Sequence, residues 1–163
     1  MLACAGCGRP RPLAWRAAEC DCGGLLEVRQ APRLHGRALR RLFDQRRGGD
    51  AAVQGSGVWR YRELLLPGRG QVVTHPEGNT PLYRRPALAR WAGIADLALK
   101  HEGENPTGSF KDRGMTVAVT QAKRIQARAV ACASTGNTSA SLASYAAHAE
   151  MRAVVFVPAG QIA

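Results

Sequence analysis

Two apolar runs late in the chain constrain its fold most. Ala129-Val130-Ala131-Cys132-Ala133 and Arg152-Ala153-Val154-Val155-Phe156-Val157 have the length and composition of short strands, and residues 137–149 between them carry a helical pattern. Strand, helix and strand at these lengths predict a right-handed crossover between parallel neighbours. The expected class is therefore α/β, part of a doubly wound parallel sheet. In such sheets binding sites lie beyond the carboxyl ends of the strands. Upstream, Leu97-Ala98-Leu99 reads as another strand, and Met115, Ala118, Val119, Ala122 and Ile125 predict a helix from about 110 to 127. Two polar loops thus leave carboxyl ends: Asn105-Pro-Thr-Gly-Ser-Phe-Lys-Asp-Arg-Gly114 and Ser134-Thr-Gly-Asn-Thr138.

The first loop places Lys111 at the start of a helix. A cation is disfavoured at that end of the helix dipole, and a neutral amine is the form that attacks a carbonyl. An exposed surface lysine is the plainer reading, and the flanking residues argue against it. Ser109 and Asp112 have the spacing of a capping box, with Asp in place of Glu. Phe110 is expected to pack and Asp112 to cap. In the second loop, free N–H groups at the head of the 137–149 helix favour an anion. Asn137 could serve there as an N-cap alone.

The remainder of the chain divides near residue 30. Residues 1–30 are rich in Cys, Gly and Pro, with Cys4-x2-Cys7-Gly8 and Cys20-x-Cys22-Gly23-Gly24 resembling the two knuckles of a zinc ribbon. Two thiolate pairs could give a structural four-cysteine zinc site, although the second pair has a short spacer. The alternative is a cysteine-bearing turn unit without metal. Leu25–Val28 reads as a short strand. Leu34, Ala38, Leu39, Leu42 and Phe43 predict a helix over 34–47, ended by Gly48-Gly49. An apolar segment from Trp59 to Leu66 closes at Pro67-Gly68, and residues 71–74 are expected to form a strand entering the turn Pro76-Glu77-Gly78-Asn79. Asn79 and Thr80 read as turn residues near the site. Pro86 to Trp91 predicts a short helix stopped by Gly93. His75, His101 and His148 have no evident partner, and Cys132 reads as a small strand residue.

The two loops, together with Gly57-Val-Trp-Arg-Tyr-Arg-Glu-Leu-Leu65, Glu77-Gly-Asn-Thr-Pro-Leu82 and the cysteine-bearing start, resemble the fold type II pyridoxal-phosphate enzymes of the tryptophan-synthase-β type, and within them the threonine synthases. The resemblance runs from Cys4 to Gly160. It implies that Lys111 carries pyridoxal phosphate and moves protons, and that Asn137 bonds the cofactor's 3′-oxygen. It also implies that Ser134, Thr135 and Thr138, with Asn137, hold the substrate α-carboxylate. The implied substrate is a small phosphorylated amino acid. A Gly-rich phosphate loop and the Ser or Thr facing the pyridine nitrogen would lie beyond Ala163. We therefore expect residues 31–163 to be the amino-terminal part of a longer catalytic region. Threonine dehydratase or a cysteate-synthase-like enzyme shares the lysine and asparagine loops. A non-catalytic zinc-ribbon module is a third reading.

A net charge of +11 invites a nucleic-acid function. The basic residues are almost all Arg and scattered, with few aromatics and no nucleic-acid module, so no nucleic-acid partner is expected. No apolar run is long enough to span a membrane, and the N-terminus lacks a signal-peptide apolar segment, which makes a cytoplasmic protein the expectation.

Overall fold

The computed structural model describes residues 1–47, 52–66, 68 and 70–160. The expected Gly48-Gly49 stop, Pro67 and residues 161–163 lie outside the described residues. The N-terminal unit is a three-stranded antiparallel sheet, β1 (Leu2–Cys4), β2 (Pro10–Arg11) and β3 (Leu26–Val28), in the order β2-β1-β3. Cys4 lies opposite Leu26, so the first cysteine pair is carried beside the returning strand.

Helix α1 (Gly36–Gln45) follows, inside the predicted 34–47, and then a single turn, α2 (Ala52–Gly55). The Trp59–Leu64 stretch is a 3-10 helix. Arg46 just beyond α1 donates both guanidinium nitrogens to Glu63, at 2.8 and 2.7 Å, which ties the two helices together. Trp59 is buried, and its indole N–H donates to Thr116 Oγ1 at 2.6 Å, so a large ring seats beneath the longest of the described helices with its polar edge satisfied.

Residues 71–74 do not form the expected strand. The N–H of Val73 donates to Thr120 Oγ1 at 2.9 Å, and its carbonyl accepts from Thr116 Oγ1 at 2.6 Å. Threonine hydroxyls of a helix stand where a neighbouring strand would have been, and the backbone groups are satisfied without one.

β4 (Leu82–Arg84) pairs antiparallel with β5 (Ala98–Lys100) around α3 (Pro86–Ala92). Gly93 caps α3 with φ 69°, the left-handed conformation that a glycine adopts without penalty. Helix α4 (Lys111–Arg124), β6 (Ala129–Ala133), α5 (Asn137–His148) and β7 (Arg152–Phe156) complete the described chain. β6 and β7 are parallel, with Ala129 opposite Arg152 and Ala133 opposite Phe156, as the crossover predicted. Among the described residues this is the one parallel pair; β5 belongs to a separate antiparallel pair.

The core lies where α4 and α5 meet: Val73, Val119, Leu142, Tyr145 and Ala149, with Met115, Val130, Cys132 and Met151 against them. Each fully buried large side chain contributes about 1.5–3 kcal/mol. No described helix is long and apolar enough to cross a membrane.

Candidate active site

Lys111 opens α4 and Asn137 opens α5. The two helix heads are held at one end of the pair by a buried link. Asp112, beside Lys111, accepts from Ser141 Oγ at 2.6 Å, one turn into α5. Asp112 also accepts from the backbone N–H of Thr107 at 2.7 Å and from its hydroxyl. The lysine loop is thereby closed on itself and fastened to the asparagine helix by one fully buried side chain.

This is a different role from the expected capping box. No side chain caps α4; Asp112 reaches back to Thr107, and Ser109 Oγ accepts from the N–H of Lys111 at 3.3 Å. Phe110 does not pack inward. It is 56% exposed, and Lys111 Nζ sits over its ring, 4.6 Å from the centroid. Asn137 is the first residue of α5 and does not cap it; Gly136 stands at the N-cap position.

Among the described residues, Lys111 Nζ has no hydrogen bond or ion pair, and the Asn137 amide has no partner. Lys111 is half-buried and Asn137 exposed. Ser134 and Thr138 are half-buried and Thr135 is exposed. Ser134 Oγ accepts from the Gly136 N–H at 3.2 Å, and Ser139 Oγ donates to the Gly136 carbonyl at 2.7 Å, which fixes the turn ahead of α5. An uncommitted amine, an uncommitted amide and a helix head, gathered at one end of two packed helices, fit a group with a reactive carbonyl and an adjacent oxygen. Lys111 would hold it covalently and Asn137 would donate to the oxygen.

A polar network behind this end was not anticipated from the sequence. Glu77 is fully buried. It accepts from Ser56 Oγ at 2.5 Å, Thr74 Oγ1 at 3.0 Å, the His75 N–H at 3.1 Å and Tyr145 Oη at 2.8 Å. Burial, and then the bond to Glu77, push the Tyr145 hydroxyl well above its ordinary value, so it stays a donor. The turn beyond Glu77 is seated on Gly57, where a Cβ would meet Asn79 N at 2.1 Å; only glycine fits. Asn79 itself has φ 51° and donates to the Gly55 carbonyl at 2.8 Å.

A second cluster joins that turn to α4. Arg113 makes a two-pronged pair with Glu102, 2.7 Å on each side, and Thr80 Oγ1 donates to Glu102 at 2.8 Å. Arg113, with Thr80 and Asn105, brings Glu102 down from its ordinary 4.5 to about 2 despite partial burial. Asn105 Oδ1 accepts from the Gly78 N–H at 2.9 Å. The histidines do have neighbours: His75 lies 4.5 Å from His148, ring to ring, and His101 Nδ1 is 3.2 Å from Glu104.

In the N-terminal unit four thiols converge. The Cys4, Cys7, Cys20 and Cys22 sulfurs all lie within 4.8 Å of one another.

The family model described as pyridoxal-phosphate dependent enzyme matches residues 73–162. The threonine synthase of Methanocaldococcus jannaschii is 41% identical over 98% of this chain. That of Methanosarcina acetivorans is 58% identical over 65% of it, and that of Mycobacterium tuberculosis H37Rv 57% over 63%. The chain spans 38%, 26% and 29% of the length of these relatives. The match takes in both polar loops and the buried turn between Val73 and Asn79, and the chain belongs to the pyridoxal-phosphate dependent enzyme family.

Proposed function

We propose that the polypeptide carrying this chain is a threonine synthase, converting O-phospho-L-homoserine and water to L-threonine and phosphate. The observation that carries the reading is the 41% identity to a threonine synthase over 98% of the chain. That span includes the cysteine-bearing start and the Trp59 segment as well as the two loops.

Pyridoxal phosphate, when bound, supplies an electron sink for carbanions at the substrate carbons. The chain's own residues supply the rest. Lys111 Nζ would hold the cofactor covalently and would take and return protons at the substrate carbons. Asn137 would donate to the cofactor's 3′-oxygen. Ser134, Thr135, Asn137 and Thr138, with the unpaired N–H groups at the head of α5, receive the substrate α-carboxylate. In this reading the enzyme is a carbon–oxygen lyase acting on a phosphate ester. β6 and β7 are two strands of a doubly wound parallel sheet, and residues 31–163 are part of the catalytic region behind a cysteine-rich unit at 1–30. We place it in the cytoplasm, where cysteines such as these five stay out of disulfides.

Substrate profiling of the full-length polypeptide tests this. Equal amounts of threonine and phosphate from O-phosphohomoserine support it. Turnover of threonine to a keto acid, or sulfite-dependent β-replacement, without phosphohomoserine activity contradicts it and favours another enzyme of the same fold.

A further inference from the structure

The enzymatic reading leaves the four converging cysteines unused. Their geometry stands independently of it. The Cys4–Gly8 turn is closed by Gly8 N–H to Cys4 O at 2.9 Å and by Cys4 N–H to Arg9 O at 3.0 Å. The Cys20–Gly24 turn is closed by Gly23 N–H to Cys20 O at 2.8 Å and Cys20 N–H to Gly24 O at 2.9 Å. Gly8 and Gly23 both have positive φ, 72° and 78°. Each turn therefore curls its backbone amides around a sulfur: the Cys7 N–H donates to Cys4 Sγ at 3.4 Å. Gly24 is pressed against the cluster so closely that a Cβ there would lie 2.6 Å from Cys4 Sγ.

The sulfur spacings decide between a metal and disulfides. Cys4 Sγ and Cys22 Sγ are 3.5 Å apart, and Cys7 Sγ and Cys20 Sγ 3.8 Å. A disulfide needs about 2.05 Å. Four thiolates at about 2.3 Å from a central zinc stand about 3.8 Å from one another. All six separations fall within 4.8 Å, which four ligands around one point require and two independent bridges do not.

A positive side chain completes the cluster. Arg11 donates to Cys20 Sγ at 3.2 Å and to Asp21 at 2.6 Å, lies 4.6 Å over the Trp15 ring, and is 15% exposed. A divalent ion with four thiolates carries two net negative charges, and a half-enclosed guanidinium aimed at a sulfur offsets one of them. The loop between the two turns also touches the catalytic region. The Gln121 amide donates to Leu13 O at 2.7 Å, and Arg16 donates to Ile125 O at 3.2 Å. Both contacts are at the C-terminal end of α4, the helix that Lys111 begins.

We propose that Cys4, Cys7, Cys20 and Cys22 bind one structural zinc ion, with the Arg11 guanidinium donating to the Cys20 sulfur, and that this centre holds the 12–19 loop against the far end of the lysine helix. Four thiolates leave no open position, so the ion takes no part in the chemistry at Lys111.

The test uses the full-length polypeptide purified under reducing conditions. Elemental analysis should find one zinc per chain. Cobalt(II) exchanged into the site should give the visible bands of tetrahedral thiolate coordination, lost in Cys22→Ser and retained in Cys132→Ser. Arg11→Met, which removes no ligand, should keep the stoichiometry and release metal to a chelator about tenfold faster. Removing the metal should speed hydrogen exchange of the 121–125 amides and leave those of α5 unchanged. Metal-free protein with four freely titrating thiols, or with the mass deficit of two disulfides, overturns the metal site. Unchanged exchange at 121–125 after metal removal overturns its hold on α4, and release unchanged in Arg11→Met overturns the role of Arg11.

Discussion

Asn137 and Glu102 show how differently single residues carry weight in this chain. Asn137 is exposed and caps nothing, so replacing it removes no support from α5. Asn137→Ala in the full-length enzyme should keep its melting temperature and lose about 1.5–3 kcal/mol of transition-state stabilisation, the worth of a hydrogen bond to a charged oxygen. Comparing kcat/KM with thermal unfolding separates the two; a variant with unchanged turnover and cofactor spectrum contradicts the role. Glu102 is the opposite case. Its folded value of about 2 lies below its ordinary 4.5, so its pairing with Arg113 stabilises the fold fully above about pH 4.5 and is lost as the pH falls to about 2. Arg113→Ala should lower the unfolding midpoint at neutral pH, and its deficit against wild type should shrink toward pH 2. A deficit independent of pH contradicts this origin. Glu77 is the residue whose role was least legible beforehand. A glutamate in a Pro-Glu-Gly-Asn turn reads as solvated. Its burial depends on donors from Ser56, Thr74 and Tyr145, which only the folded chain brings together. Glu77→Ala leaves several of them unpaired at about 1–3 kcal/mol each. Urea unfolding should show a loss of about 3 kcal/mol or more.

At the scale of elements, the β6-α5-β7 crossover and α4 were legible because apolar spacing alone specifies them. The capping box and the 71–74 strand were not, and for the same reason. In both places a polar side chain bonds backbone that the pattern assigned elsewhere: Asp112 takes the Thr107 N–H, and Thr116 and Thr120 serve Val73. A helix carrying threonine on its buried face gave no signal that those hydroxyls would replace a strand. The Asp112–Ser141 bond is the element-scale link between the two loops. Ser141→Ala should destabilise the protein by about 1.5–3 kcal/mol and also weaken cofactor binding, because it leaves Asp112 under-satisfied beside Lys111. Cofactor titration of the folded variant checks the second effect; affinity equal to wild type would show that the helix heads stay in place without the bond.

Across the whole molecule, the positions of Lys111 and Asn137 were legible because both loops follow strand-like runs. That β5 and β6 lie in separate sheets was not, since pairing partners are long-range choices that a local pattern does not encode. β7 is exposed at every position, and Val154, Val155 and Phe156 present apolar surface. Residues 1–163 expressed alone should therefore self-associate, because an uncovered apolar strand invites edge pairing. Light scattering at increasing concentration checks this, and a monodisperse monomer contradicts it. The reading of the whole molecule rests on Lys111. Borohydride reduction of the full-length polypeptide with pyridoxal phosphate, followed by peptide mass mapping, tests it directly. The cofactor should be fixed on the peptide that contains Lys111, and Lys111→Ala should retain none. Attachment at another lysine, or full occupancy in Lys111→Ala, would contradict the assignment.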